Sequence, residues 1–333
     1  MRVAILATFA AFVLAAPARA GSPVGPSPVV AGISWNQSGV TFGSSGDIWP
    51  VTMRPDGQVE TAWGDAALGC TTKVSYGTAH LPSTPGATLT GDGCGPPGSG
   101  NGKITSLLFV GSTLWAILLT KENSWPDSPL SLMSSHKNGA HWTYLGWSFP
   151  AAMKPTAFVQ DGPADGNVYL LAQKPVASAT ALYLMRVPAN SLSSQTAYRY
   201  FSGTAAVPAW STDPSLAKPI VSGSPWGFDY PAMGRIRGIN RYFLSAGLGS
   251  PDSSAVLDAP APWGPWTTVE WREPGSGWMS LRTVGERQTL GFPYGWQAST
   301  GTTLWAVWGC YGSGCGAAHH DRGSINSATL VLR

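Results

Sequence analysis

The sequence predicts an all-β fold, a five-bladed β-propeller, and three observations carry the prediction. Apolar residues come in short runs bounded by Gly, Pro, Asn and Asp, the signature of strands joined by tight turns. No segment sustains a long helical period. Only Ala189 to Tyr200 offers a short helix, with Asn190 and Ser191 to cap it and Tyr198 and Phe201 to pack it. A hairpin of two apolar or aromatic strands then recurs five times along the chain.

The first twenty residues stand apart from that pattern. Arg2 gives a positive start, Val3 to Ala15 an apolar run, and Ala18-Arg19-Ala20 a small-x-small cleavage site, so they read as a signal peptide. The run is shorter than the ~20 apolar residues that span a bilayer, and no later segment approaches that length. With no cysteine at the cleavage point to carry a lipid, the mature chain is expected to be secreted or periplasmic, free of the membrane. Residues 21–34 read as an N-terminal linker and 35–333 as one domain.

The five hairpins follow in order. The first runs from Trp49 to Met53 and from Val59 to Trp63, around Asp56-Gly57, the signal for a two-residue turn. The second joins Ser106–Val110 to Leu114–Leu118, and the third joins Thr156–Val159 to Val168–Ala172. The fourth joins Pro231–Ile236 to Tyr242–Ala246, and the fifth joins Phe292–Gln297 to Leu304–Trp308. Taking Val59, Leu114, Val168, Tyr242 and Leu304 as markers gives separations of 55, 54, 74 and 62 residues. Four-stranded propeller blades with variable loops have that period. Outer strands show as Leu130–Met133 with Trp142–Tyr144, and as Ala255–Leu257 with Trp266–Val269. A two-sheet sandwich built from repeated hairpins is the competing architecture.

Four cysteines suit an oxidising compartment. Sequence proximity pairs Cys310 with Cys315 and leaves Cys70 for Cys94, although three connectivities are formally open. The spacings do not match a zinc finger, and His319-His320-Asp321 places adjacent side chains on opposite faces of a strand, so no metal site is assigned. A net charge of +3, spread without any Lys/Arg cluster, excludes a nucleic-acid surface. No Gly-x-Ser-x-Gly elbow, His-Glu-x-x-His pair or P-loop is present.

What remains is carboxylate chemistry. Asp47 and Asp65 stand at the two ends of the first hairpin, which returns them to one rim. Glycosidic cleavage needs one acid to protonate the leaving oxygen and a second to act as base or nucleophile. In a propeller the first residues of the inner strands converge on the central axis, and here these are Asp47, Lys103, Lys154, Asp229 and the region Gln288-Thr289. Apolar strands that begin on ionisable groups argue for a wet pocket, since burying such groups unpaired costs several kcal/mol. Lys103 and Lys154 can equally be structural partners that neutralise Asp47 and Asp229. Trp49, Trp63, Tyr230 and Trp296 are candidates to stack on sugar rings, and Glu122 and Arg235 are reserve polar groups. The partner is therefore read as a polysaccharide or oligosaccharide and the protein as a monomer. No cofactor is assigned beyond the room a central channel leaves for a structural ion.

Gly46-Asp47-Ile48-Trp49-Pro50 followed by Ala62-Trp63-Gly64-Asp65 resembles the opening blade of the secreted family catalogued as domain of unknown function 4185. The resemblance continues in Leu182–Pro188, Ala197–Gly203 and Ala259–Trp266, and spans about residues 35 to 332. It implies a five-bladed propeller of the sialidase- and arabinanase-like kind. It also implies endo-D-arabinanase activity on cell-wall arabinan, with Asp47 and Asp65 as the catalytic pair. Two rivals stay open. One is a lectin-like binding propeller, which wide separation of the acids or their joint burial with lysines would favour over the 5 to 10 Å that hydrolysis uses. The other is a sialidase, which would need three convergent arginines and a Tyr–Glu pair.

Overall fold

The computed structural model describes residues 22, 24–98, 102–119, 130–149, 153–174, 181–222, 228–248, 254–272, 286–311 and 321–333. Glu122 and Cys315 lie outside these residues, as do the side chains of Asp229 and Cys310.

The described chain is almost entirely strand. β1 (Val30–Trp35) and β2 (Val40–Phe42) come first, and four antiparallel strands follow: β3 (Asp47–Met53), β4 (Val59–Ala66), β5 (Val74–Leu81) and β6 (Thr90–Cys94). The next sheet is β7 (Lys103–Val110), β8 (Thr113–Leu119), β9 (Leu130–Ser135) and β10 (Thr143–Tyr144). Then come β11 (Lys154–Gln160), β12 (Asn167–Gln173), β13 (Ala181–Pro188), β14 (Arg199–Phe201), β15 (Trp210–Ser211) and β16 (Pro219–Ser222). A further antiparallel run holds β17 (Phe228–Ile236), β18 (Arg241–Leu248), β19 (Ser254–Ala259) and β20 (Thr267–Arg272). β21 (Glu286–Gly291), β22 (Thr303–Tyr311) and β23 (Arg322–Leu332) complete the chain, with β1 and β2 both paired to β23. Five hairpins form, β3–β4, β7–β8, β11–β12, β17–β18 and β21–β22; the first four hold the predicted runs, whereas the fifth takes Glu286–Gly291 as its first strand, and the predicted Phe292–Gln297 is a turn closed by Trp296 N donating to Pro293 O.

The first strands of these hairpins pack on one another in sequence, β3 on β7, β7 on β11, β11 on β17 and β17 on β21, and β21 returns to β3. The sheets therefore fan outward from one axis. Apolar clusters fill the wedges between them, as where Phe243 and Val256 meet Leu304 and Trp308. Neutral hydrogen bonds stitch the seams near the axis. Gln160 Nε2 donates to Leu107 O (2.7 Å), Gln173 Nε2 to Phe228 O (2.5 Å) and Ser245 Oγ to Leu290 O (2.7 Å).

Three local expectations are corrected. The first hairpin turns through three residues rather than two. Arg54 N donates to Gln58 O, Gly57 N donates to Arg54 O, and Gly57 takes φ +86°, the left-handed position of a bulged three-residue loop. Ala189 to Tyr200 is not a helix but two 3-10 turns, Ala189–Ser191 and Gln195–Ala197, neither with a side-chain cap. Its Tyr198 does pack, edge-on to Phe149 at 5.0 Å. Within the segment read as a linker, the described residues 24–34 are tied into the sheets. Val30 to Trp35 form β1, and upstream of it Ser27 N donates to Thr268 O while Thr268 N donates to Gly25 O. The backbone amides of this segment find sheet partners, so it belongs to the fold.

Candidate active site

Each of the five axial strands carries a β-bulge close to its first residues: Ile48/Val51 in β3, Ile104/Ser106 in β7, Pro155/Ala157 in β11, Asp229/Ala232 in β17 and Arg287/Leu290 in β21. A bulge adds a residue to one strand and re-aims the side chains around it. The effect is sharpest in β3, where Ile48 and Trp49 take φ +77° and +58°. A β-branched residue in that region is strained, so the surroundings must hold it. Thr289 of β21 does so by donating its hydroxyl to Ile48 O, and Trp49 Nε1 donates to Gly46 O at 2.9 Å. Asp65 at φ +52° and Tyr230 at φ +41° are two more non-glycine residues with left-handed backbones in axial hairpins. Strain of this kind clusters at functional sites.

The bulge brings the predicted acids together. Asp47 pairs across the ladder with Gly64, next to Asp65. The ammonium of Lys103, first residue of β7, contacts Asp47 Oδ2 and lies 3.0 Å from Asp65 Oδ2. Contacts to one nitrogen bring an oxygen of each carboxylate onto the same ammonium. The Lys103 side chain is 2 % exposed and Asp47 9 %, whereas Asp65 is 26 % exposed although its Oδ1 is buried. A buried lysine thus stands between the two acids, the feature that weighs toward binding alone.

Gly64 makes the arrangement fit, and sequence reading passed over it. A Cβ built there would stand 2.2 Å from Asp47 Oδ1 and 2.9 Å from Lys103 Cδ. The space that glycine leaves is filled by the acid and the stem of its lysine. The signal was in the sequence as the glycine lodged between Trp63 and Asp65.

The other candidates divide. Lys154 is buried at the first position of β11, opposite Gln173, at the same end of the axis as Asp47 and Lys103. Asp229 occupies the matching place in β17 by its backbone, and Tyr230 follows it half-buried in the bulge. Trp49, Trp63 and Trp296 are core residues and not sugar platforms. They are 0 %, 2 % and 5 % exposed, Trp49 meets Phe42 edge-on at 4.9 Å, and Trp296 Nε1 donates to Pro82 O. Arg235 sits at the far end of β17, where its guanidinium donates to Asn240 Oδ1 (3.0 Å), so it does not reach the acid rim. Cys70 and Cys94 form the expected disulfide, which ties the loop after Asp65 to β6. The Cys310–Cys315 pairing and Glu122 fall outside the described residues.

Below the acids the axial channel narrows. Pro50, Val51, Thr105, Ser106, Gln160 and Thr289 line a cavity of about 20 Å³, room for one water and not for a sugar ring. Its polar lining is hydroxyl and amide, and among the described residues no group of His, Cys, Asp and Glu could hold a metal ion. Among the described residues no helix is long and apolar enough to cross a membrane.

No family model matches the chain, and no curated protein matches it. Solved structures do. An exo-β-1,3-galactanase from Phanerochaete chrysosporium with β-1,3-galactotriose aligns over 90 % of this chain and 67 % of its own, at 12 % identity and a TM-score of 0.58. A GH43_1 enzyme from Xanthomonas citri complexed with xylotriose covers 88 % of this chain and 90 % of its own, with 13 % identity and a TM-score of 0.52. A β-xylosidase covers 90 % and 98 %, with 10 % identity and a TM-score of 0.55. At such identities the likeness is one of fold, and the chain has the all-β propeller fold of GH43 glycoside hydrolases.

Proposed function

We propose that this chain is a secreted glycoside hydrolase of the arabinanase type, a five-bladed member of the domain of unknown function 4185 family acting on a cell-wall or extracellular polysaccharide. One observation carries the reading. Asp47 and Asp65, from two strands of one hairpin, meet on the Lys103 ammonium, beside backbone held in strained conformations. The two roles divide by exposure. The Asp65 side chain is the more exposed of the two and is assigned the contact with the sugar, whereas Asp47 sits deeper against Lys103 and Gly64. The ring of axial strands supports the blade count, and the fold likeness to enzymes bound to xylotriose and galactotriose supports an oligosaccharide partner. The Cys70–Cys94 disulfide supports an oxidising compartment.

The test is product analysis on arabinan, arabinogalactan and sialylated polymers with the wild type, Asp47→Asn and Asp65→Asn. Either substitution is expected to abolish release of oligosaccharides while polysaccharide binding persists. Full activity in both variants removes the pair from the chemistry. The second reading, a binding propeller, is favoured by the buried Lys103 between the acids. It predicts that wild-type protein binds one of these polymers and cleaves none.

A further inference from the structure

Away from the acid rim, at the other end of the first hairpin, a second set of ionisable side chains is packed into the sheet. Glu60 of β4 is fully buried. Its cross-strand neighbour on β5 is His80, and Asp92 comes from β6 beside it. Arg54, in the β3–β4 loop, reaches into the group: Nη1 lies 3.0 Å from Glu60 Oε2, 3.2 Å from Asp92 Oδ2 and 3.2 Å from His80 Nδ1. His80 Nδ1 is also 2.7 Å from Asp92 Oδ2, and Asp56 from the same loop lies 3.4 Å from Arg54 Nε. Among the described residues these four, Arg54, Asp56, His80 and Asp92, are the charged or titratable groups facing Glu60.

Charge and solvation do not balance at Glu60. One guanidinium is shared among Glu60, Asp92 and Asp56, so three carboxylates compete for a single permanent cation. The other oxygen of Glu60, Oε1, is buried and has no hydrogen-bond partner among the described residues. An ionised carboxylate with an orphaned oxygen out of water is costly, and a neutral carboxyl group costs far less. We propose that Glu60 is a proton-binding site of the folded state, so that the first blade takes up a proton on folding and is held most firmly in acidic surroundings. Burial, and then the charge of Asp92, push its carboxyl well above the usual 4.5, while Arg54 opposes them. A carboxyl raised on folding binds its proton more tightly in the folded than in the unfolded chain. Its contribution to stability is complete below the ordinary carboxylate range and is lost as pH climbs through the raised value. Within that window the folding equilibrium weakens by up to about tenfold per pH unit.

The site is separate from Asp47 and Asp65 and independent of the catalytic reading, so the readout is stability and not activity. Urea unfolding of the whole mature chain between pH 4.5 and 8 is expected to show stability falling as pH rises. In Glu60→Gln, which carries the neutral shape permanently, this slope should be flattened and stability at pH 8 raised. His80→Asn removes the imidazole of the cluster and should keep the slope. If Glu60→Gln fails to fold, Asp92→Asn reports instead: removing the competing charge should shift the window toward lower pH. A slope unchanged in Glu60→Gln, a window unmoved in Asp92→Asn, or a slope abolished by His80→Asn overturns the proposal.

Discussion

Gly64→Ala is the perturbation that separates geometry from chemistry at the acid pair. It removes no functional group, and Gly64 does not have the positive φ that would itself penalise alanine. In open space such a change stabilises by roughly 0.4 to 1 kcal/mol through the unfolded chain. Here the new Cβ would stand 2.2 Å from Asp47 Oδ1 and 2.9 Å from Lys103 Cδ, whereas real Cβ atoms essentially never approach within 3.0 Å. The Asp47 carboxylate must retreat by about 1 Å, and the lysine stem with it. Overpacking of this kind costs roughly 1 to 3 kcal/mol, so the gain from the unfolded state is overridden and stability falls modestly. A displacement of about 1 Å at a reacting group costs roughly 100-fold in rate. Initial-rate assays on the polymer the wild type cleaves, paired with thermal unfolding, should therefore show activity lost far out of proportion to stability. A folded Gly64→Ala protein hydrolysing at the wild-type rate would refute the placement of Asp47 in the chemistry.

Two further outcomes follow from the same geometry. Lys103→Met strands two carboxylates beside an apolar chain. Breaking a buried pair costs about 3 to 5 kcal/mol, and the exposure of Asp65 puts the expectation at the lower end; urea unfolding measures it, and the Asp47→Asn/Lys103→Met double variant should recover most of the loss. Replacing both Cys70 and Cys94 with serine opens a 24-residue separation and should cost about 3 to 4 kcal/mol in the same assay, because the unfolded chain regains the freedom the loop had lost. An unfolding curve unchanged by the serines would show that the strand needs no tether.

The repeat was legible because it rests on local physics. Apolar alternation and turn residues mark each hairpin, and Val59, Leu114, Val168, Tyr242 and Leu304 all fall in the first two residues of a second strand. Asp47, Lys103 and Lys154 are likewise the first residues of their strands, so the convergence of charge at one end of the axis could be read from spacing. What could not be read is which aromatic faces solvent. Trp49 and Trp63 flank the acids in sequence, but the bulge in β3 turns Trp49 inward against Phe42, and Trp63 follows it into the core. A bulge leaves no mark in composition, and it reverses the alternation on which such assignments depend. The N-terminal strand was missed for a related reason. Val30 to Trp35 pairs with β23 at the opposite end of the chain, and no local pattern announces a partner some 300 residues away.

The seams between sheets bear on what Lys103 is for. Where β11 meets β17, an amide of Gln173 reaches a carbonyl; where β18 meets β21, the Ser245 hydroxyl does the same; where β21 meets β3, Thr289 bonds Ile48 O. Neutral groups thus suffice to join neighbouring sheets near the axis, each contributing roughly 0.5 to 1.5 kcal/mol without removing a charge from water. The seam between β3 and β7 places a lysine and two aspartates there, and buried Lys154 puts a further lysine at the start of β11. Desolvating ions costs several kcal/mol apiece, and well-packed apolar residues often do as well or better, so stability gives no reason to prefer charge at that seam. The same cation that burdens the fold holds the carboxylates of Asp47 and Asp65 together. Charge at this seam therefore needs a reason other than stability, and the proposed chemistry of the two acids supplies one.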